Sequence, residues 1–396
     1  MNIAIITDSF PPMMDGVSRS ALGYATALHE GGYGKVLVVA PRMPKERYDY
    51  PFQFYGFSSV GLPYHEYRAG LPYMPRLKKL FAELEIEVIH AHSPFVSMTI
   101  AAKLRRLFHV PIVFTQHTKW DYDISCAVPV KILQRRIERY AYRNIAKADE
   151  VWAVSRGTGE YLTGRGFGGG YIVMPNATDF PRRDADAGRI EAISRRYALP
   201  EDVPVLICVC RMMMYKGIGI TIDALELLHK NGFDFRMFFV GDGEDLGKAQ
   251  TLVSDKGLSG LVHFTGRITD REELRAYYNR AGLFVLPSVY DNAPLTVLEA
   301  AACSCPSVVV RGSSTAEIIE DGVNGFYCEE NPQSVADAVR NAFSDRERYN
   351  RVSVAAAEQV YMPWDKLIRR AHERYAEVKR AYGERSQDGG HAARGR

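Results

Sequence analysis

A chain of 396 residues is long enough for two domains, and its 46% hydrophobic and 24% charged composition is that of a folded globular protein. A net charge of +3 is too small to argue for nucleic acid as a partner. Met1–Asp8 has neither the basic region nor the apolar core of a signal peptide, no apolar run reaches membrane-spanning length, and the six cysteines fit neither a disulfide framework nor a zinc site. A reduced, cytoplasmic enzyme is the expectation.

In chain order, Asn2–Thr7 reads as a buried strand, followed by a loop with Gly16-Val17 and a helix over Ser18–Glu30. Strand, loop and helix open a doubly wound sheet, but the loop lacks the G-x-G-x-x-G of a dinucleotide site. Lys35–Ala40 is a second strand, and Pro41–Pro75 is rich in Pro, Tyr and Gly without a period. Pro75–Leu84 is an amphipathic helix with Leu77, Leu80, Phe81 and Leu84 on one face and Arg76, Lys78 and Lys79 beside it. It is either a surface helix packed on the sheet or a contact with an anionic membrane, a patch that Lys103, Arg105 and Arg106 could extend. Glu87–His90 and Pro111–Thr115 are further strands, and the second delivers His117 to the sheet's C-terminal edge, where open α/β sheets place their chemistry. Asp121-Tyr122-Asp123 spells a metal-binding D-x-D. That spelling recurs at Asp184-Ala185-Asp186 in an obvious linker, so both are discounted. A helix over 129–148 leads to strands Glu150–Val154 and Tyr171–Met174, and the hinge falls between residues 176 and 200.

The second half restarts the alternation. Strand Val203–Val209 precedes Arg211 and Lys216-Gly217, strand Phe235–Val240 ends in Gly241-Asp242-Gly243, and Leu261–Thr265 ends in Gly266-Arg267. Leu283–Leu286 runs through a polar turn to Pro294, which suits a helix start. That helix N-terminus offers free N–H groups to an anion such as a diphosphate, with Asp291 in the turn and Glu299 inside the helix able to accept from sugar hydroxyls. The plainer reading is a βα unit with one solvated acid. The fold class expected is α/β, with two doubly wound Rossmann-like domains facing across a cleft, 1–178 and 179–362. A helix over 363–382 crosses back to the first domain, and 383–396 is a disordered tail.

Taken together, four motifs resemble glycosyltransferase family four, whose members are retaining enzymes of GT-B architecture. They are the Gly16-Val17 loop, Arg211 with Lys216-Gly217 five residues on, the Gly241-Asp242-Gly243 turn, and the acids Asp291 and Glu299 with seven residues between. His117–Asp121 and Tyr290–Leu295 look most like bacterial branches that include diacylglycerol glucosyltransferases. The resemblance implies an acceptor-side first domain and a nucleotide-sugar-binding second domain. It implies catalytic roles for His117, Arg211, Lys216 and Asp291, and donor binding by Gly16, Val17, Gly241, Gly243, Asn292, Ala293, Pro294, Leu295, Thr296 and Glu299. Glu299 would hold the ribose, Asp291 and the Asn292–Leu295 backbone the sugar and phosphate, and His117 the sugar's 6-hydroxyl or the reacting centre.

The reaction implied is retaining transfer of a hexose, glucose by the branch likeness, from a UDP-sugar to a lipid or saccharide, with no catalytic metal and no cofactor beyond the co-substrate. The leaving phosphate takes the acceptor's proton after same-face attack. An anionic membrane surface is the further partner, through Arg76, Lys78 and Lys79 on the inner face of the cell membrane. Three departures stand out: Asp291 where the family has Glu, Ala177 where a Pro-Asn-Gly turn has Gly, and Cys208-Val209-Cys210 before Arg211. Two alternatives use the same features. A GT-B epimerase would need paired acids and histidines around the sugar, a set this sequence lacks. An inactive membrane-surface binding protein would rest on the basic helix alone.

Overall fold

The computed structural model describes every residue except Met14, 44–48, 62–67, 121–123, 126–127, 183–184 and 394–396, together with the side chains of Ala69 and 386–393. The D-x-D at Asp121 and Asp123, and Asp184 of its repeat, lie outside the described residues. The chain divides into two units, Met1–Ala177 with Trp364–Arg396, and Thr178–Pro363.

The first unit runs β1 (Ile3–Ile6), α1 (Gly16–Glu30), β2 (Val36–Pro41), β3 (Gln53–Phe57), β4 (Ser59–Gly61), β5 (Arg68–Gly70), α2 (Met74–Glu83), β6 (Val88–Ala91), α3 (Val96–Phe108), β7 (Ile112–Gln116), α4 (Lys131–Ile145), β8 (Glu150–Ala153), α5 (Arg156–Gly164) and β9 (Ile172–Val173). Its seven-stranded sheet has the order β3-β2-β1-β6-β7-β8-β9 and is parallel throughout, while β4 and β5 form an antiparallel pair apart from it. The central strands β1 and β2 are unbroken apolar runs, and β6 is interrupted only by the buried His90, because helices cover both faces of such a sheet. The expected period-free stretch from Pro41 to Pro75 therefore contains β3 and the β4–β5 pair, and α3 fills a segment to which the sequence assigned no element. On α2, Leu77 and Phe81 are buried in the unit's own core, which accounts for the helix's apolar stripe; Arg76, Lys78 and Lys79 remain exposed.

The second unit runs α6 (Ala187–Arg196), β10 (Val205–Val209), α7 (Ile218–Lys230), β11 (Arg236–Val240), α8 (Leu246–Asp255), β12 (Val262–Gly266), α9 (Arg271–Arg280), β13 (Leu283–Leu286), α10 (Leu295–Ala302), β14 (Ser307–Val310), β15 (Phe326–Cys328), α11 (Pro332–Phe343) and α12 (Arg346–Ala355). Its six-stranded sheet, β12-β11-β10-β13-β14-β15, is also parallel. Two doubly wound parallel sheets are the α/β class that the alternating pattern predicts.

The last helix, α13 (Trp364–Ala393), belongs to the first unit. It continues past Tyr382 into the stretch whose composition suggested a disordered tail, because Glu384–Gln387 are helix formers and the Gly389-Gly390 pair comes only near its end. Trp364 lies edge-on to Tyr24 with ring centroids 5.2 Å apart, and Tyr375 stacks on Trp152 at 5.1 Å. Arg374 Nε donates to both Glu150 carboxylate oxygens at 2.8 and 2.9 Å, a bidentate grip on β8. Gly23 on α1 makes room for this helix: a Cβ there would lie 2.0 Å from Trp364 Cζ2. Inside a helix, Gly→Ala ordinarily stabilises by up to about 1 kcal/mol. Here overpacking outweighs propensity, so Gly23→Ala is expected to destabilise the unit by about 1–3 kcal/mol. A thermal scan reads this directly, and an unchanged or raised midpoint would contradict the packing described.

Candidate active site

In the second unit the strand order reverses between β10 and β13, so their outgoing loops turn opposite ways and leave a crevice at the sheet's C-terminal edge. The loop after β10 carries Arg211 and Lys216; the loop after β13 carries Asp291–Pro294 and leads into α10. Arg211 is exposed, with no side-chain hydrogen bond or ion pair among the described residues. Lys216 ends a short 3-10 turn, Met214–Lys216, whose Met214 N–H donates to Asp245 Oδ2 at 2.9 Å. Gly217 follows at φ 75, and a Cβ there would stand 2.2 Å from the Pro287 carbonyl oxygen. Only glycine tolerates both the backbone twist and that approach, which brings the two loops together.

The Lys216 ammonium donates to Asp291 Oδ1, with side chains 18% and 13% exposed. Burial works against the charge on Lys216, but the Asp291 carboxylate overcomes it and leaves the ammonium harder to deprotonate than usual. Asp291 Oδ2 is buried without a hydrogen-bond partner, while Thr315 Oγ1 donates to the Asp291 carbonyl at 3.3 Å. Pro294 is the N-cap of α10, so the helix begins at Leu295, one residue later than the sequence places it, and that helix end has no side-chain cap hydrogen bond. Its first N–H groups, at Leu295 and Thr296, follow the buried Asn292 and half-buried Ala293. Free donors beside a lysine and an arginine make a site suited to an anion with several oxygens.

Glu299 sits deeper than a ligand contact alone requires. It is 5% exposed, and it accepts from Arg271 Nη2 at 2.7 Å on Oε1 and from Tyr278 Oη at 3.2 Å on Oε2. Arg271 also donates to Asp179 and lies 4.2 Å from the Phe180 ring centroid. Gly241 and Gly243 answer to the protein's own backbone: a Cβ at Gly241 would be 2.0 Å from the Cys210 carbonyl oxygen and one at Gly243 2.5 Å from that of Met212. Their turn presses on the strand end that delivers Arg211. Arg271, Asp179, Tyr278 and Thr315 carry no sequence signal that would have marked them, since each meets its partner through tertiary packing.

In the first unit, His117 follows β7, and His92 follows the neighbouring β6. His92 Nδ1 and His117 Nε2 are 3.0 Å apart with nearly parallel rings. His90 lies behind, its ring centroid 4.1 Å from that of His92 and tilted by 41°, held by Thr115 Oγ1 at 2.6 Å and Tyr375 Oη at 2.7 Å. Burial holds the His117 imidazole down at about 3 and pushes His90 and His92 well below their ordinary value. The three are neutral hydrogen-bonding groups, not bases. Gly16 opens α1 over an Asp15 cap that accepts from the Ser18 N–H at 2.8 Å; a Cβ at Gly16 would meet nothing within 4 Å, and Val17 is half-buried beside it. Space beside Gly16 is thus open, unlike that at Gly241 and Gly243.

Two consequences are measurable. Removing Arg271 leaves a buried Glu299 charge facing a tyrosine, so Arg271→Met is expected to destabilise by roughly 3 kcal/mol, and adding Glu299→Gln to restore most of it. Equal losses in the single and double variants, read from urea melts, would refute the pairing. The histidine stack sets an acid limit. Unfolded histidines protonate near 6.5 and the folded ones do not, so the unfolded state takes up more protons as pH falls. Stability is therefore complete above pH 6.5 and declines below it. Asp8, raised by burial to about 6, acts in the opposite sense below that value, one group against three. Between pH 7.5 and 5 the urea midpoint should fall, and His92→Phe should flatten the fall by about one proton, or 1.4 kcal/mol per pH unit. A pH-independent midpoint would contradict the neutral stack.

The sequence profile described as Glycosyltransferase Family 4 matches residues 14–182, and that described as Glycosyl transferases group 1 matches 189–359. An alpha-monoglucosyldiacylglycerol synthase of Acholeplasma laidlawii is 22% identical over 85% of this chain and 86% of that protein. A GDP-mannose-dependent alpha-(1-6)-phosphatidylinositol monomannoside mannosyltransferase of Mycolicibacterium smegmatis is 27% identical over 91% and 94%. The crystal structure of Anabaena Alr3699/HepE in complex with UDP superposes with a TM-score of 0.75 at 17% identity, covering 95% of this chain and 100% of that one. With one family profile on each half and the same two-sheet fold, this chain belongs to glycosyltransferase family four and is a glycosyltransferase of GT-B type.

Proposed function

We propose that the enzyme transfers a hexose, with retention, from a UDP-sugar to a lipid acceptor, and that Arg211, Lys216 and the N-terminus of α10 together receive the departing diphosphate. The observation that carries this reading is the Lys216–Asp291 pair at the β10/β13 reversal, which joins the loop that carries Arg211 to the loop that leads into α10. Breaking the sugar C1–phosphate bond leaves negative charge on the phosphate oxygens, and groups fixed there in advance stabilise it most effectively. Arg211 offers a planar fork of N–H donors and Lys216 a compact charge. The acceptor oxygen bonds to C1 on the face the phosphate leaves, and its proton passes to the phosphate oxygen. With these cations the chemistry needs no metal ion.

Asp291 keeps Lys216 charged and in place until phosphate arrives, and its backbone neighbours Asn292–Leu295 hold the sugar and phosphate. Glu299, already fixed by Arg271 and Tyr278, has lone pairs left for the ribose hydroxyls. The neutral His117 orients a sugar hydroxyl, in keeping with its depressed basicity. Gly16, with open space in place of a side chain, and Val17 contribute backbone on the first unit. Relatives named for glucosyl and for GDP-mannose-dependent transfer to lipids support a lipid acceptor and make the base and sugar the point to test. The cations Arg76, Lys78 and Lys79 on α2 add electrostatic attraction to an anionic membrane.

The test is a donor screen across UDP-, GDP- and ADP-hexoses with a diacylglycerol acceptor in EDTA, reading nucleotide release and the anomeric configuration of the product. UDP-glucose should give an α-linked product at full rate. Release from GDP-mannose alone, an inverted product, or a strict manganese requirement would each overturn its part of the proposal. Lys216→Ala should weaken UDP binding by about 1.5–3 kcal/mol in calorimetry, and unchanged affinity would remove the lysine from the donor site.

A further inference from the structure

Helix α4 carries an unusual outer face. Among its residues are five cations, Lys131, Arg135, Arg136, Arg139 and Arg143, against one acid, Glu138. That local excess exceeds the +3 of the whole chain, so charge is concentrated here and balanced elsewhere. All five cations are exposed, and none has an ion-pair partner among the described residues. At 100° per residue, Ile132, Arg136, Arg139 and Arg143 form one stripe along the helix, flanked by Leu133 and Arg135. Ile132 is 68% and Leu133 46% exposed. The opposite face is anchored: Ala141, Asn144 and Ile145 are buried, and Asn144 Nδ2 donates to the Pro94 carbonyl at 2.8 Å. The helix is thus fixed by its C-terminal half, while its first two turns present aliphatic side chains and arginines together to solvent.

We propose that this face of α4 docks on the surface of an anionic lipid bilayer. The contrast with α2 supports the choice, because there Leu77 and Phe81 are taken up by the unit's own core and the exposed Leu71 and Tyr73 precede the helix, whereas Ile132 and Leu133 lie on α4 itself among its arginines. A nucleic acid backbone would engage the arginines and leave isoleucine and leucine in water. A headgroup layer accepts both: guanidinium groups pair with lipid phosphates while Ile132 and Leu133 enter the boundary with the acyl chains. Long arginine stems let the charges stay in the headgroup plane as the aliphatic side chains go deeper. The inference extends the lipid-acceptor reading by naming the surface that meets the membrane. Its test reads vesicle binding, not transfer, so the two can fail separately.

The experiment is co-sedimentation of the full chain with vesicles of phosphatidylcholine alone and of phosphatidylcholine mixed with phosphatidylglycerol. Binding is expected only to the mixed vesicles. The triple variant Arg135→Glu, Arg136→Glu, Arg139→Glu should weaken it at least about tenfold. The double variant Ile132→Ser, Leu133→Ser should weaken it several-fold with the charge intact. Both should keep the wild-type circular dichroism and melting midpoint, because every altered side chain is exposed. Neutralising Arg76, Lys78 and Lys79 should have a smaller effect than the α4 triple variant. No binding by the wild type, full binding by the α4 charge variant, or loss only on neutralising α2 would overturn the proposal. Wild-type binding by the serine variant, together with equally strong retention on heparin, would replace the bilayer with a polyanion.

Discussion

The Lys216–Asp291 ion pair ties together two loops that leave neighbouring strands in opposite directions, and the crevice of the second unit depends on that tie. Without it, Lys216 would be a largely buried ammonium and Asp291 a largely buried carboxylate, each expensive to hold alone. The pair forms only because Gly217 lets the β10 loop pass against Pro287. One unoccupied carboxylate oxygen on Asp291 keeps the arrangement short of complete satisfaction. In the proposed reaction the incoming diphosphate takes over the lysine while a sugar hydroxyl donates to the aspartate.

Depth separates the two acids. Asp291 faces the crevice with a partner that a phosphate can compete for. Glu299 is locked below it by Arg271 and Tyr278, and through Arg271 it is joined to Asp179 near the start of the unit. In the proposed donor site this rigid carboxylate is the one that recognises the ribose, whose position is the same for every sugar carried. In the first unit, a column of aromatic and imidazole rings anchors α13 through Tyr375 and His90 and ends at His117. There too, a candidate functional side chain is held by a buried network.

Most of the strands and their order of appearance were legible because buried parallel strands are short continuous apolar runs, as in Ile3–Ile6 and Leu283–Leu286; the three-residue β15, Phe326–Cys328, was too short to show. Gly217, Lys216 and Arg211 were legible as a motif, and the fold explains it as two loops meeting at a strand-order reversal. The segment holding β3 and the β4–β5 pair was not legible, since its Pro, Tyr and Gly obscure any period of two. Nor were Arg271 and Tyr278, whose bonds to Glu299 join positions brought close only by the packing of α9 on α10. Gly241 and Gly243 were legible as a G-x-G turn expected at the donor, and the fold adds a second reason for glycine there, backbone contact with Cys210 and Met212. The amphipathic pattern of α2 fitted either packing on the sheet or contact with a membrane, and Leu77 and Phe81 turn inward. Periodicity alone cannot tell a core from a membrane.

The most direct test of the account is amide hydrogen exchange with and without UDP. Binding at the β10/β13 reversal predicts new protection at residues 211–217 and 291–297, with little change at the β4–β5 pair. Protection confined to the first unit, or none at 291–297 under saturating nucleotide, would contradict it.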